Sequence, residues 1–186
     1  MTDFPTLETD RLILRRLELS DAPQIYEYMK DREIAFNTLL IPYPYPEGAA
    51  EDWIESTHKA AKKGDDFTFA VTRKSDGLFL GACGLARNNQ HQRGEIGYWL
   101  GKPHWGRGYT SEAAGRVIQF GFEDMRLNRI YAGYFTRNPA SRRVMEKAGM
   151  TYEGTYRQNV LKWGEFVDVG GCAILRSEYE AQKAAR

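Results

Sequence analysis

Cysteine and histidine are scarce in this 186-residue sequence: two cysteines, Cys83 and Cys172, and three histidines, His58, His91 and His104. Two cysteines make no disulfide framework, and both sit in apolar, strand-like surroundings. They are expected to be reduced core thiols of a cytoplasmic protein. The histidines are too far apart in sequence for a local metal-binding pattern, so no metal is expected. No apolar run approaches the ~20 residues of a membrane helix, and no membrane association is expected. The opening MTDFPTLETD is polar and acidic and does not read as a signal peptide. Neither sign of charge is in excess. With 26 Lys and Arg against 25 Asp and Glu the net is +1, which argues against general nucleic-acid binding. Repeats, low-complexity tracts and linkers are missing too.

The remainder describes one globular domain, residues 1–186, long enough for a sizeable core. Its apolar content of 42% and aromatic content of 13% exclude disorder. The charge is unevenly spread. Residues 1–66 carry 14 acidic and 8 basic side chains, and residues 87–147 carry 5 acidic and 11 basic. Uneven surface composition explains this. So does a middle segment that holds an anion and an N-terminal third that faces a cation.

The elements alternate in type. Residues 10–19, DRLILRRLEL, read as a strand with one wet face, and Ser20 reads as the cap of a helix carrying Ile25, Tyr28 and Met29 inward. A proline-rich loop and a second helix fill 42–64, stopped by Gly64. FTFAVTR and LFLGACGLA are strands joined by the turn Lys74–Gly77, and 94–100 is another. A helix over 110–125 repeats apolar residues at Ala113, Ala114, Val117, Ile118, Gly121, Phe122 and Met125. Its other face, Glu112, Arg116, Gln119 and Glu123, is left for solvent. Strand 129–136 follows, then a short helix over 138–149 with Asn138 as cap, Pro139 first and Gly149 last. Strands 152–162 and 166–175 and a polar tail with a helical turn or two complete a mixed α/β domain.

The stretch YWLGKPHWGRGYTSEAA, Tyr98 to Ala114, sets Gly101, Gly106 and Gly108 between a strand and a helix. Such a turn aims unpaired backbone N–H groups and the positive end of a helix dipole at one spot, which makes a phosphate seat. Gly106 and Gly108 permit close approach and positive φ, and Arg107 adds charge. The spacing fits neither a nucleoside-triphosphate loop nor the dinucleotide fingerprint. By itself the turn is also compatible with a purely structural strand–helix connection.

IGYWLGKPHWGRGYTSEA resembles the acyl-CoA-binding segment of the GNAT superfamily of N-acetyltransferases. The family pattern Q/R-x-x-G-x-G/A falls on Trp105, Gly106, Arg107, Gly108, Tyr109 and Thr110, where Gly108 matches strictly and Trp105 and Thr110 depart. YWL…WGRGY…EA is the spelling of the RimJ/RimL-like branch, which includes the ribosomal-protein N-terminal acetyltransferases. TDRLILRRLELSDA resembles that branch's opening, and NPASRRVMEKAGM and EGTYRQNVLKWGEFVDVGGCAIL its closing half. The resemblance implies an α+β fold: a mixed, mostly antiparallel twisted sheet of about seven strands with helices on both faces. Strands 94–100 and 129–136 would run parallel and splay apart, with freed amides near Trp99 and Leu100 for the pantetheine arm. Gly97 is consistent with a bulge or close ligand approach there.

Acetyl-CoA is the implied cosubstrate and an amine the acceptor, attacking the thioester directly. Neither cysteine has a local histidine to make it a nucleophile. Glu95, at the start of strand 94–100, resembles a carboxylate used as base by several relatives; it is otherwise a solvated edge glutamate. Asn138 is explained as a helix cap and, by resemblance, as a pantetheine contact. Relatives place a tyrosine acid seven residues on, where this chain has Met145. Ser141 matches the serine of RimL-like enzymes near the thiolate, or is an ordinary first-turn serine. Arg142, read as sharing a face with Asn138 while Arg143 turns away, joins Arg107 as a candidate for the coenzyme's remaining phosphate.

Phe36, Tyr43, Tyr45 and Trp53 flank the proline-rich loop, where they line an acceptor groove or anchor the loop. The implied activity is acetylation of a protein N-terminal residue. The alternatives are a small-amine acetyltransferase acting on a polyamine, amino acid or antibiotic, and a non-catalytic acyl-CoA-binding module. A homodimer is a further implication, since relatives associate through sheet edges or terminal strands.

Overall fold

The computed structural model describes residues 4–185. Strands β1 (Leu7–Glu8) and β2 (Leu12–Arg16) lead through a short 3-10 turn to helices α1 (Ala22–Met29), α2 (Arg32–Asn37) and α3 (Ala49–Lys63). Strands β3 (Asp66–Arg73), β4 (Phe79–Asn88) and β5 (Arg93–Leu100) form a meander that ends at α4 (Tyr109–Glu123). Then come β6 (Arg129–Phe135), α5 (Pro139–Lys147), the hairpin β7 (Thr151–Lys162) and β8 (Glu165–Leu175), and α6 (Arg176–Ala184). The sheet has eight strands in the order β1-β2-β3-β4-β5-β6-β8-β7, one more than expected because the two-residue β1 pairs with β2. Every neighbouring pair is antiparallel except β5 and β6.

Strand alternation sends side chains to two cores. Ile96 and Leu100 of β5 join Leu12, Leu14, Phe69 and Val71 under the apolar stripe of α4. On the other face Leu17, Ala70 and Phe79 meet Ile25, Met29 and Ile54 of α1 and α3. The stripe of α4 approaches the sheet so closely that a Cβ on Gly121 would lie 2.6 Å from Ile130 Cδ1 and 2.7 Å from Leu85 Cδ2.

Three expectations are corrected. Ser20 does not cap α1; its hydroxyl donates to the Glu18 carboxylate at 3.2 Å. The start of that helix is organised by Asp21, 5% exposed, which accepts from the Glu18 amide at 2.9 Å and from both terminal nitrogens of Arg15 at 2.7 and 2.8 Å. The polar face of α4 is not left to solvent. Glu112 accepts from Thr9 and Arg11 of the N-terminal arm, and Glu123 from Tyr179 and Lys183 of α6. The tail is a nine-residue helix rather than a turn or two.

The segment after β5 is fastened from below. Gly101 lies where a Cβ would meet the Tyr28 ring at 2.7 Å, and the Tyr28 hydroxyl sits 2.7 Å from Nε2 of His104, which is 8% exposed. Burial first, then the charges of Arg107 and Arg73, hold His104 below its ordinary pKa, so it stays neutral.

Gly121→Val is expected to destabilise the fold by about 1–3 kcal/mol through overpacking against Ile130 and Leu85, read as a lower melting temperature. A depressed histidine pKa means the unfolded chain binds the extra proton first. The stability contributed by neutral His104 is therefore full above the ordinary value of ~6.5 and declines as pH falls below it. Denaturant midpoints at pH 7.5 and 5.5 should separate in the native protein, and the gap should narrow in His104→Gln.

Candidate active site

β5 and β6 run parallel for three residue pairs only, Arg93 with Arg129 through Glu95 with Tyr131. Beyond that point β5 stays paired to β4 and β6 to β8, so the two central strands fork. The fork opens a cleft of about 740 Å³, walled by Tyr98, Trp99 and Leu100 on one arm and by Asn138, Ser141 and Val144 of the segment after β6 on the other. The main-chain groups of β5 that face β6 lose their strand partner beyond Glu95, as the resemblance requires.

At the mouth lies the glycine turn. Gly106 and Gly108 have φ of +73° and +78°, and a Cβ on Gly106 would meet no atom within 4 Å. Both line the cleft with Thr110 and Ser111. Gly108 is the N-cap of α4 and brings no side chain to the first-turn amides, which leaves those donors for an anion. The turn is braced on its outer side. Arg11 binds Glu112 through Nε at 2.7 Å, lies 4.6 Å over the Tyr109 ring, and donates from Nη1 to the Arg107 carbonyl at 3.0 Å. In a trans peptide the C=O and N–H point opposite ways, so holding the Arg107 carbonyl outward turns the Gly108 N–H inward. Trp105, at the family's Gln/Arg position, donates its indole N–H to the Leu100 carbonyl at 2.8 Å and so fastens the turn to the strand end. These residues fit a diphosphate: free donors, positive φ and open space where side chains would intrude.

Across the cleft, Asn138 Oδ1 accepts from the Ser141 amide at 3.2 Å, with Pro139 in the first helical turn. Ser141 Oγ lies 3.0 Å from the Tyr98 hydroxyl, which also donates to the Ser141 carbonyl at 3.1 Å. Burial, first among the causes, pushes the Tyr98 phenol up despite the opposing Ser141 bond, so it remains protonated. Tyr98 is a residue the sequence reading missed, because it alternates with Ile96 and Leu100 and so reads as core.

Not every expected residue reaches the cleft. Arg142 turns away, pairing with Glu146 at 2.8 Å and lying 4.7 Å over the Tyr152 ring, while Arg143 and Lys147 line the wall. The i, i+4 count from Asn138 fails because Asn138 is the cap, with φ −111° and ψ 73°, outside the helix. Ser141, Val144 and Lys147, three apart, carry the wall instead. Glu95 occupies the last paired position of the fork, solvent-exposed and outside the cleft, accepting from the Tyr131 hydroxyl at 3.3 Å. Four residues of strand, about 13 Å, separate it from Trp99. The Arg107 side chain is exposed and the Tyr109 side chain buried, and neither is among the residues that line the cleft. Burial pushes the Cys83 thiol up to about 12 and the Cys172 thiol in the same direction, which keeps both un-ionised.

The far end of the cleft is built by α2, a helix absent from the sequence reading. Phe36, Asn37 and Thr38 line it together with Arg137 and Glu33, whose carboxylate is held by Lys102 at 2.7 Å. Trp163, at the tip of the β7–β8 hairpin, packs against Phe36 and Tyr43 with ring centroids 5.9 and 6.1 Å apart. Lys162, 7% exposed, donates to the Leu39 and Ile41 carbonyls at 3.1 and 3.4 Å and clasps the loop after α2. Tyr45 and Trp53 pack under the sheet near Tyr26 and Trp99 and anchor the loop. Of the acidic residues of the N-terminal third, Glu33 alone lines the cleft among the described residues. Asp21, Asp31, Glu8 and Glu27 are paired with Arg15, Lys102, Lys74 and Lys30. Among the described residues no group of three or more His, Cys, Asp or Glu side chains could hold a metal, and no helix is long and apolar enough to cross a membrane.

Residues 11–151 match the family model of the acetyltransferase (GNAT) domain. The uncharacterized N-acetyltransferase p20 of Bacillus licheniformis is 33% identical over 94% of this chain and 98% of its own length. The spermidine N(1)-acetyltransferase of Vibrio cholerae is 25% identical over 91% of this chain and 95% of its own. Among solved structures, RimL, a ribosomal L7/L12 alpha-N-protein acetyltransferase in complex with coenzyme A, superposes with a TM-score of 0.84 at 17% identity, covering 92% of this chain and 98% of its own. A forked sheet, a glycine turn open to a diphosphate and a family match over most of the chain make one conclusion: the protein belongs to the GNAT acetyltransferases, enzymes that use acetyl-CoA.

Proposed function

We propose that the acceptor is the α-amino group of a protein N-terminal residue, that main-chain amides of residues 106–110 seat the coenzyme's diphosphate, and that Ser141 protonates the departing sulfur. The observation that carries the acceptor assignment is the charge of the cleft. Among the described lining residues the one carboxylate is Glu33, and Lys102 already holds it. A polyamine reaches an enzyme fully protonated and needs carboxylates both to bind and to deprotonate it. An α-amine titrates near ~8, against ~10.4 for lysine, so a useful neutral fraction exists at pH 7.5 with no strong base. A cleft without a free carboxylate suits the α-amine.

Acetyl-CoA supplies the acyl group as a thioester. The chain's part is to hold donors where charge develops. Unpaired β5 amides beyond Glu95 face the fork and are available to the thioester oxygen. The Tyr98 phenol donates to the Ser141 carbonyl and lies 3.0 Å from Ser141 Oγ, which holds that hydroxyl on the cleft wall, where it gives the sulfur a proton and regains the one the acetylated nitrogen sheds. Asn138 fixes the turn that carries Ser141. Arg143 and Lys147, on the same wall nearer the glycine turn, are cations for the coenzyme's remaining phosphate. The spermidine acetyltransferase among the relatives keeps a small polyamine as the competing acceptor.

Thiol release from acetyl-CoA, measured with N-terminal peptides, spermidine and free amino acids, tests the acceptor. Release with peptides and none with spermidine is expected, and the reverse would refute the assignment. Ser141→Ala and Tyr98→Phe should each lower kcat about tenfold or more while KM for acetyl-CoA stays within about twofold. Glu95→Gln should keep kcat within about twofold, because the carboxylate lies outside the cleft.

A further inference from the structure

Three cations lie against three aromatic rings at the acceptor end of the cleft. The Arg137 guanidinium lies 3.8 Å over the Phe36 ring and 4.9 Å over the Phe135 ring, and it lines the cleft beside Asn138. Arg32 lies 5.1 Å over the Trp163 ring, and Lys162 is 5.1 Å from the same ring. Among the described residues none of the three has a carboxylate within ion-pairing distance. The polar partners of Arg137 and Lys162 are main-chain carbonyls, Phe36 for the first and Leu39 and Ile41 for the second. The Nε of Arg137 is buried without any hydrogen-bond partner.

This arrangement is costly as it stands. Burial and the nearby Arg137 charge both push Lys162 below its ordinary pKa, the signature of two cations sharing a partly desolvated site. Charges withdrawn from water are ordinarily paired, and among the described residues no carboxylate pairs with Arg137 or Lys162, since Glu33 at this end of the cleft is held by Lys102. The coenzyme's diphosphate is not that partner, because its donors lie at residues 106–110 on the opposite arm of the fork. The missing charge has to arrive with the acceptor.

We infer that the acceptor carries a carboxylate close to its reacting amine, and that Arg137 receives it, with Lys162 and Arg32 deepening the positive field. For the protein-terminus reading, on which this rests, it means an acidic residue next to the terminal one. Arg137 is suited to the task. Its planar fork can bind a carboxylate through two parallel bonds while its face stays stacked on Phe36. It directly precedes Asn138, the cap that carries Ser141, so anion and amine would be held within one short segment.

The test compares two C-terminally amidated peptides, Ser-Asp-Ala-Ala-Ala and Ser-Asn-Ala-Ala-Ala, as acceptors for the full chain with acetyl-CoA. The native enzyme should favour the acidic peptide about tenfold in kcat/KM. Arg137→Gln should shrink that preference to under about twofold, and Arg137→Lys should keep part of it. A structural role for Arg137 would depress both peptides alike. Equal use of the two peptides by the native enzyme, or a preference that survives Arg137→Gln, would overturn the inference. If Arg137→Gln does not fold, the native comparison and Arg137→Lys still decide. Acetylation of free aspartate over asparagine, with neither peptide used, would uphold the carboxylate site and remove the protein-terminus reading. Turnover with spermidine alone would remove both.

Discussion

The brevity of one strand pairing governs the active site. β5 and β6 hold each other for three residue pairs and then diverge, each kept in the sheet by its other neighbour. A sheet normally satisfies its backbone internally, and an interior strand with unpaired groups is expensive unless something else pairs them. Here the parallel ladder ends just before Tyr98 and Trp99, and the helices that follow each strand begin on opposite sides of the gap. Backbone donors, a helix N-terminus and a capped serine are thereby brought to one opening from segments some forty residues apart.

The glycine turn could not keep its shape alone. Two residues at positive φ make it permissive, and permissive backbone needs external constraint. Arg11 supplies this from outside, reaching from the start of β2 to both Glu112 and the Arg107 carbonyl. Trp105 ties the turn to Leu100, and the Tyr28–His104 pair supports it from the α1 side. The turn is thus a locally flexible sequence held by three attachments, two of them from far along the chain.

The legible parts of the sequence were those whose causes are local. Gly106 and Gly108 announce positive φ, Asn138-Pro139 announces a helix start, and the apolar repeat of α4 announces its buried face, all within a few residues. Where the sequence misled, the deciding partner was far away. Asp21 displaced Ser20 as the organiser of α1 because Arg15 of the preceding strand neutralises it. Glu112 was read as solvated because nothing nearby hints that Arg11, 101 residues earlier, lands on it. α2 escaped notice because six residues carry too little periodicity to stand out, and its stability comes from burying Ile34 and Ala35. Tyr98 and Arg137 look ordinary in sequence; only the fork makes one a partner of Ser141 and the other an unpaired cation.

The clasp between Lys162 and the loop after α2 has a consequence for how such an enzyme can diversify. Its two contacts are to main-chain oxygens, at Leu39 and Ile41, and every amino acid offers the same oxygen. The exposed side chains of that loop, Leu39 and Leu40, are therefore free to change without loosening the clasp, while Tyr43 and Tyr45 hold the loop by their rings. The donor end enjoys no such liberty, since its geometry depends on glycines and on a guanidinium of fixed reach. One half of the pocket can drift in side-chain chemistry while the other half is held to a single backbone geometry.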